Sequence, residues 1–337
     1  MHVTPSPATP VRMIALDLDG TLLSSTGLIS PRNQAALHAA RAAGIEIVIA
    51  TGRRHFYAMR QLRALDLPAD SILISSNGAV VRTVAADLIE RSLMTESSCR
   101  RLFAELGTFR DALVVTFDRV GPDGDDERGA LVVEELAGLH ASIEKWMIAN
   151  DPYIDRIHPI EDSLAAGNPI QMMLCGTISR MRAAEALLRA IPGVSHVDDT
   201  EEAAPGASTV PPAIALHRTE YPSRDLSIVD ILPAGASKGA ALTRLAASRG
   251  LSISNVMAIG DNWNDLPMLG VAGTPVLMGN APADLLLRAR AHGWWITRTN
   301  EADGVAHAIE AALTRAGRLH PTSIEAPAPE LATASAG

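Results

Sequence analysis

The chain has 337 residues, 47% of them hydrophobic, which is typical of a globular protein with two domains. Its formal net charge of -9 disfavours broad binding to nucleic acid or to an anionic membrane, because both interactions need a basic surface. The apolar runs are all much shorter than a membrane-spanning helix, and the two cysteines, Cys99 and Cys175, indicate neither a disulfide framework nor a zinc site.

Both ends of the chain differ in composition from the middle. Residues 1–10 contain three prolines and no apolar core of the signal-peptide type, so we expect a disordered leader and a cytoplasmic protein. Residues 318–337 are rich in proline, alanine, serine and glutamate without periodicity, which predicts a disordered tail.

The first predicted strand, Arg12 to Leu16, is a short apolar run that leads directly into the sequence D-L-D-G-T at residues 17–21. Residues two apart in an extended segment point to the same side, so Asp17 and Asp19 can both face a ligand at the carboxyl end of this strand. Taken alone, the pair is also typical of a turn, since aspartate readily bonds nearby backbone amides.

A helix and a second strand come next. Ser30 and Pro31 predict the helix start, because serine caps a first turn and proline fits its first position, and Gly44 predicts the helix end. The second strand, Ile45 to Ala50, leads into T-G-R at residues 51–53. Further strand candidates are Ile72 to Ser75, Val256 to Ile259, Pro275 to Met278 and Trp295 to Thr297. This order predicts an α/β fold with a Rossmann-like parallel-sheet core and helices on both faces.

The middle of the chain has a different pattern, with short helices and alternating strands that include a predicted helix from Ser97 to Leu106 and a predicted strand from Leu113 to Phe117. We interpret residues 84–233 as an inserted α/β cap. Residues 11–83 and 234–317 then form a discontinuous core. The acidic loop from Gly121 to Gly129 lacks the full spacing of a calcium site, so we expect it to be solvated.

Groups suited to phosphate and to a metal ion lie at other predicted strand ends and helix starts. Thr51 and Gly52 offer a hydroxyl and exposed backbone amides, and Lys238 begins a helix whose first-turn amides favour an anion. The next strand candidate leads into Asp261 and Asp265. Four carboxylates in one crevice repel one another unless a cation lies among them, and oxygen ligands of this kind suit Mg2+.

Four short sequences together resemble the ordered motifs of the haloacid dehalogenase superfamily. They are D-L-D-G-T-L at Asp17, A-T-G-R at Thr51, S-K-G at Lys238 and G-D-N-x-N-D-x-P-M-L from Gly260. The large insertion between the second and third motifs, and the form of the fourth, resemble the Cof-type sugar-phosphatase subgroup, which carries an α/β cap at that point. The resemblance spans nearly the whole chain.

The resemblance implies a phosphatase mechanism. Asp17 would attack phosphorus to form an aspartyl-phosphate, and Asp19 would protonate the leaving alcohol and later deprotonate the hydrolytic water. Thr51 would bind the transferring phosphoryl oxygens, and Lys238 would offset negative charge. Mg2+ would be held by Asp17, the Asp19 backbone carbonyl and Asp261.

Several further positions keep open roles. Asp265 would either bind the metal through water or orient Lys238. Arg53 would either add positive charge at the phosphate or lie on the surface. The predicted substrate-binding residues are Gly52, Arg53, Asn77 and Asn264.

Four large side chains are predicted to pack. Trp263 lies within the fourth motif and could pack its turn or close over the site, and we favour packing. Trp146, Met172 and Met173 are predicted to belong to the cap core.

The resemblance leaves the substrate open among small phosphorylated metabolites, namely a sugar phosphate, a flavin nucleotide or pyridoxal phosphate. Alternative functions are a phosphomutase with the same aspartyl-phosphate step, a phospho-acceptor switch, and a catalytically silent sugar-phosphate binder. We expect a monomer or weak homodimer without nucleic-acid or membrane partners.

Overall fold

The computed structural model describes residues 10–121, 124–136, 138–196 and 212–317. The predicted tail and all but the last residue of the predicted leader lie outside these ranges. Among the described helices, none has the length and apolar character that crossing a membrane requires.

The described part of the chain contains both strands and helices. The strands are β1 (Met13–Leu16), β2 (Glu46–Ala50), β3 (Ile72–Ser75), β4 (Val80–Thr83), β5 (Leu88–Arg91), β6 (Leu113–Thr116), β7 (Leu131–Val133), β8 (Ile154–Arg156), β9 (Gln171–Gly176), β10 (Val194–His196), β11 (Ile214–Tyr221), β12 (Leu226–Pro233), β13 (Val256–Gly260), β14 (Thr274–Leu277) and β15 (Trp295–Ile296). The helices are α1 (Pro31–Ala42), α2 (His55–Leu62), α3 (Glu96–Glu105), α4 (Glu144–Asn150), α5 (Ile178–Arg189), α6 (Lys238–Ser248), α7 (Leu266–Val271), α8 (Ala283–Ala291) and α9 (Gly304–Arg315).

The first sheet has the strand order β15-β14-β13-β1-β2-β3-β4-β5. The strands from β15 to β3 are parallel, and β4 and β5 join antiparallel. β1 lies between β13 and β2, with Ala15 opposite both Ala258 and Val48. This confirms the predicted Rossmann-like core. Chain order reverses direction at β1, and the carboxyl end of strands at such a point is where open α/β sheets bind ligands.

The centre of the first sheet is buried on both faces because β1 and β13 carry no polar side chain. On β1, Ile14 and Leu16 point to a cluster formed with α1, α2 and α9, whereas Met13 and Ala15 point to a cluster formed with α6, α7 and α8. The start of α1 is as predicted, since the Ser30 side chain accepts a hydrogen bond from the backbone of the first turn. Burial on two faces leaves only the strand ends of this sheet available for chemistry.

The second sheet, which we call the cap sheet, has the order β10-β11-β12-β9-β6-β7-β8 and is mostly antiparallel. One face packs against α3 and α5 through buried residues such as Phe103 and Leu188. The opposite face carries a smaller apolar cluster that includes residues before and within α4. The chain leaves the first sheet only after β5, at Arg91, because β5 pairs with β4; this is later than the boundary at residue 84 predicted from the sequence. It returns after β12, which ends at Pro233.

The acidic loop after β6 is not wholly solvated, contrary to the sequence-based expectation. Within its described part, the Asp126 side chain is only 5% exposed and forms an ion pair with Arg54 at 2.6 Å. Arg54 also donates a hydrogen bond to Asn150 in α4 and lies 5.7 Å from the centre of the Tyr153 ring. The Asp126 side chain is buried because it meets the start of α2, so this cluster joins the first sheet's helices to the cap.

Candidate active site

The carboxyl end of β1 carries the first pair of predicted residues. The Asp17 amide donates to the Ile259 carbonyl at 3.0 Å, which extends the pairing of β1 with β13 and holds Asp17 in place. Gly20 has φ +80, and a Cβ at this position would lie 2.3 Å from Oδ2 of Asp261. Only glycine therefore allows the turn to approach the fourth motif so closely. The Thr21 hydroxyl then donates to Oδ1 of Asp261 at 2.9 Å.

Lys238 is the first residue of α6 and is completely buried. The Ser237 side chain caps the helix by accepting from the Ala240 amide at 3.0 Å, which fixes the direction in which the lysine leaves the backbone. Its Nζ donates to Oδ1 of Asp17 at 2.7 Å and to Oδ1 of Asp265 at 2.6 Å. One lysine thus joins the first motif to the fourth.

Asp265 uses both carboxylate oxygens within the protein. Oδ1 accepts from Lys238, and Oδ2 accepts from the backbone amides of Asp261 at 2.9 Å and Asn262 at 3.0 Å. Carboxylate oxygens of Asp17, Asp261 and Asp265 nevertheless lie within 4.8 Å of one another. Asp265 is therefore built to orient both the lysine and the fourth-motif turn.

Burial of these carboxylates shifts their titration. Desolvation raises the pKa of Asp17 to about 7 against the opposing effect of Lys238, with Asp265 and Asp19 adding to the rise. Desolvation, together with Asp265 and Asp17, raises the pKa of Asp261 well above its ordinary value. Burial disfavours charge on Lys238 too, but the two adjacent carboxylates outweigh it and raise the pKa of this lysine. Excess negative charge at this edge is what a divalent cation would offset.

Arg53 belongs to the site and not to the surface. Its guanidinium pairs with both oxygens of Asp19 at 2.6 Å, donates to Gln61 at 2.7 Å and lies 4.9 Å from the centre of the Tyr57 ring. The Arg53 amide donates to the Thr51 hydroxyl oxygen at 3.1 Å, which orders the turn after β2. The Asp19 side chain is 41% exposed and faces the cavity described below.

Asn77 and Asn264 lie side by side next to the turn after β2. Nδ2 of Asn264 donates to Oδ1 of Asn77 at 3.1 Å, and a Cβ on Gly52 would lie 3.2 Å from the Asn77 amide group. Asn77 in turn donates to Asp230 of β12 at 2.8 Å, and Gln171 of β9 donates to the same carboxylate at 2.5 Å. Sequence reasoning missed Asp230 and Gln171, which connect the cap sheet to the site.

A cavity of about 360 Å³ lies between the carboxyl edge of the first sheet and the open face of the cap sheet. The predicted site residues that line it are Asp17, Asp19, Thr51, Gly52, Arg53 and Asn264. The other predicted residues, Asn77, Lys238, Asp261 and Asp265, are buried behind this lining. The structure thus brings the predicted residues together in two layers.

Cap residues form the opposite wall of the cavity. Met173 and Trp146 line it, so their prediction as cap core was incomplete, whereas Met172 on the other face of β9 is fully buried in the cap core as predicted. The alternation of side chains along β9 is the sequence signal that could have separated Met172 from Met173.

Trp263 packs, as we favoured from the sequence. It is 7% exposed within the cluster around α7, and the Arg218 guanidinium lies 5.2 Å from its ring centre. The neighbouring Asn262 side chain bonds both backbone groups of Glu220 in β11, at 3.3 and 3.2 Å. The fourth-motif turn therefore contacts the buried carboxylate cluster on one side and the cap sheet on the other.

The sequence was compared with models of known protein families. The model of the haloacid dehalogenase-like hydrolase family matches residues 14–126 and 197–309, which is more than half of the chain and includes all four motifs. The chain belongs to this family. Among relatives, the pyridoxal phosphate phosphatase of Escherichia coli strain K12 is 31% identical over 301 residues, covering 88% of this chain and 97% of that protein. The 5-amino-6-(5-phospho-D-ribitylamino)uracil phosphatase of Bacillus subtilis strain 168 is 29% identical over 320 residues, covering 90% and 99%.

Solved structures of haloacid dehalogenase phosphatases share the fold. One from Bacteroides thetaiotaomicron has a TM-score of 0.66 and 23% identity and covers 94% of this chain and 99% of that one. A subclass IIB sugar phosphatase has a TM-score of 0.64 and 21% identity and covers 92% and 100%. The haloacid dehalogenase hydrolase is therefore of the Cof type, and its prediction as a phosphatase is confirmed.

Proposed function

We propose that this hydrolase is a Mg2+-dependent phosphomonoesterase that acts on a small phosphorylated metabolite through an aspartyl-phosphate. The observation that carries the proposal is the buried Lys238, which joins Asp17 at the cavity to Asp265 in the fourth motif. Relatives are named for a ribitylaminouracil phosphate and for pyridoxal phosphate, which supports the substrate classes of flavin-type nucleotide, pyridoxal phosphate and sugar phosphate.

In this proposal Asp17 is the nucleophile. It lies at the cavity wall with one oxygen bonded to Lys238, which leaves the other oxygen for in-line attack on phosphorus. Asp19 protonates the leaving oxygen and then removes a proton from the water that hydrolyses the aspartyl-phosphate. Arg53 binds Asp19 in this structure and lines the same cavity, so substrate phosphate would compete with Asp19 for this guanidinium.

The turns around Asp17 bind the phosphate group of the substrate. The Thr51 hydroxyl, the Gly52 amide and Arg53 line one side of the cavity, and Asn264 lines the other, oriented by Asn77. Lys238 holds Asp17 and offsets charge that accumulates during transfer.

The oxygen-rich donor set fits Mg2+. Asp17 and Asp261 would supply carboxylates in excess of the one lysine charge. The Asp19 backbone carbonyl would complete the protein ligands. Both oxygens of Asp265 are already hydrogen-bonded, so we assign Asp265 the orienting role instead of direct coordination. When bound, the ion would neutralise phosphoryl charge in the displacement.

The test is Mg2+-dependent phosphate release from a panel of phosphomonoesters. We expect Asp17→Asn and Asp19→Asn to lose at least about a thousandfold in turnover. Asp66→Asn, which changes an exposed turn aspartate outside the cavity, should keep native activity. Absence of phosphate release by the native chain from every ester would contradict the proposal. Transfer of phosphate to a sugar would indicate the phosphomutase alternative, and a long-lived phosphorylated chain would indicate a phospho-acceptor.

Metal binding has a separate readout in the melting temperature. Mg2+ should raise the melting temperature of the native chain, because binding to the folded state stabilises it. Asp261→Asn should abolish this rise. We further propose that the cap begins after β5 and ends at Pro233, that the protein is cytoplasmic, and that it is a monomer or weak homodimer.

A further inference from the structure

The open face of the cap sheet forms the cavity wall opposite Asp17. Side chains reach this face at every second position, as on β12, where Leu226, Ile228 and Asp230 line the cavity. Met173 and Cys175 of the neighbouring strand β9 extend the apolar part of the wall. The wall therefore combines this apolar surface with one carboxylate and with other polar side chains, among them Lys145, Tyr221 and Arg224.

Asp230 is the only acidic side chain that the described part of the cap sheet contributes to the cavity. It is 6% exposed, and its two oxygens accept hydrogen bonds from Gln171 and Asn77. A carboxylate can accept about four hydrogen bonds, so each oxygen retains capacity for a further donor. The two amides fix the carboxylate in one orientation at the cavity wall.

The position of Asp230 relative to the phosphate site follows from the same hydrogen bonds. Asn77 bonds Asp230 on one side and Asn264 on the other, and it packs against Gly52 of the turn after β2. Asp230 is thus separated from the phosphate-binding turns by a single side chain. A group that contacts Asp230 must belong to the part of the substrate close to the ester.

We propose that Asp230 selects the leaving group by accepting a hydrogen bond from a hydroxyl or amine close to the scissile ester, while the apolar wall beyond it holds a flat ring. The substrate class is then a phosphomonoester with a hydroxylated or amino-bearing chain next to phosphate and an aromatic ring further away. This inference rests on the proposed phosphatase function and assigns Asp230 as its specificity-determining residue.

The apolar part of the wall argues against a bare polyol as the group that lies there. Leu226 and Ile228 offer no hydrogen bonds, and the sulfur atoms of Met173 and Cys175 offer only weak ones, so hydroxyls placed against these four side chains would lose their water without full replacement. The half-buried Trp146 lines the same cavity and offers a surface on which a ring can stack. Pockets of this composition use a few fixed polar groups for orientation and apolar surface for the remainder of the ligand.

The experiment compares three phosphate esters on the native chain and on Asp230→Asn. Flavin mononucleotide has hydroxyls near phosphate and a ring, phenyl phosphate has a ring alone, and glycerol phosphate has hydroxyls alone. We expect the native kcat/KM to be highest for flavin mononucleotide. Asp230→Asn should lower that value about 10- to 100-fold, while the value for phenyl phosphate changes less than about threefold.

Glu185→Gln is the matched control, because Glu185 is an equally buried cap carboxylate that does not line the cavity. It should leave the ratio of the three kcat/KM values unchanged. Riboflavin binding, followed by flavin fluorescence, gives a readout without catalysis and should weaken in Asp230→Asn alone. An equal loss for all esters, or an unchanged ratio, would overturn the role of Asp230 while leaving the phosphatase intact. A native chain inactive on all three esters and on every ester of the wider panel would overturn the proposed function and this selection with it.

Discussion

The two sheets of this hydrolase differ in how their faces are covered. The first sheet is packed between helices on both faces, so only the carboxyl ends of β1, β2 and β13 remain for chemistry. The cap sheet is covered by α3 and α5 on one face and lines a cavity with part of the other. The first arrangement favours a fixed set of charged groups at one edge, and the second leaves a surface whose side chains can vary with the ligand.

The two regions share a small apolar cluster and three polar connections. Arg54, at the start of α2, pairs with Asp126 of the cap, and Asn262 of the fourth motif bonds the backbone of Glu220 in β11. Asn77 and Asp230 form a third connection. Each connection begins in a turn that also carries or adjoins a predicted site residue, so the position of the cap is coupled to the site.

The largest effect on the free energy of unfolding is expected from removing the positive charge of Lys238 at the edge of the first sheet. Lys238→Met leaves Asp17 and Asp265 buried without their shared partner, and it should lower the free energy of unfolding by about 3 to 5 kcal/mol. Urea unfolding without Mg2+ measures this value. Lys145→Met, at an exposed cap lysine, should change it by less than about 0.5 kcal/mol. Equal losses in the two variants would contradict the claim that charge is concentrated at the sheet edge.

A smaller effect on the free energy of unfolding is expected from a substitution at the boundary between the first sheet and the cap. Asp126→Asn removes one charge of a buried pair and should cost about 2 kcal/mol, because Arg54 retains only its neutral partners. Asp155→Asn breaks a more exposed pair with Arg128 in the same cap and should cost less than about 1 kcal/mol. Urea unfolding of both variants gives the comparison, and a larger cost for Asp155→Asn would show that the boundary pair does not stabilise the fold.

The smallest expected effect is a pH dependence of the free energy of unfolding, which arises from Asp230 in the cap wall. Burial raises the pKa of Asp230 from 3.8 to about 7, so the folded chain binds this proton more tightly than the unfolded chain does. Protonated Asp230 therefore adds to the free energy of unfolding at low pH, and this contribution is lost as the pH rises towards 7. Between about pH 6 and pH 8 the native chain should lose about 1 kcal/mol relative to Asp230→Asn.

Urea unfolding of the native chain and of Asp230→Asn at several pH values tests this sign. Glu185→Gln again serves as control, since ion pairing with His196 and Arg218 outweighs burial and lowers the pKa of Glu185. Between pH 6 and pH 8, the native chain should not lose stability relative to Glu185→Gln as it does relative to Asp230→Asn. A native chain that gains stability over Asp230→Asn with rising pH would contradict the burial argument.

The sequence by itself determined the parallel core and the residues at its carboxyl edge. Asp17, Thr51 and Asp261 each follow an apolar run, and parallel strands necessarily bring such positions to one edge, so their proximity could be predicted without coordinates. The helix start at Lys238 was likewise predicted from the S-K-G sequence at residues 237–239. The sequence patterns of single strands and helices were enough to predict these positions, because each residue is positioned by the strand or helix directly beside it in the chain.

Only the tertiary structure decided the second wall of the site. The pairing of Asp230 with Asn77, the burial of Asp126 by Arg54 and the exposure of Met173 to a cavity all join segments far apart in the chain. Alternation along a strand shows which residues share a face, but it does not show which face another part of the molecule will cover. That depends on how distant segments pack, which is why the carboxyl edge of the first sheet was predictable and the cap wall of the cavity was not.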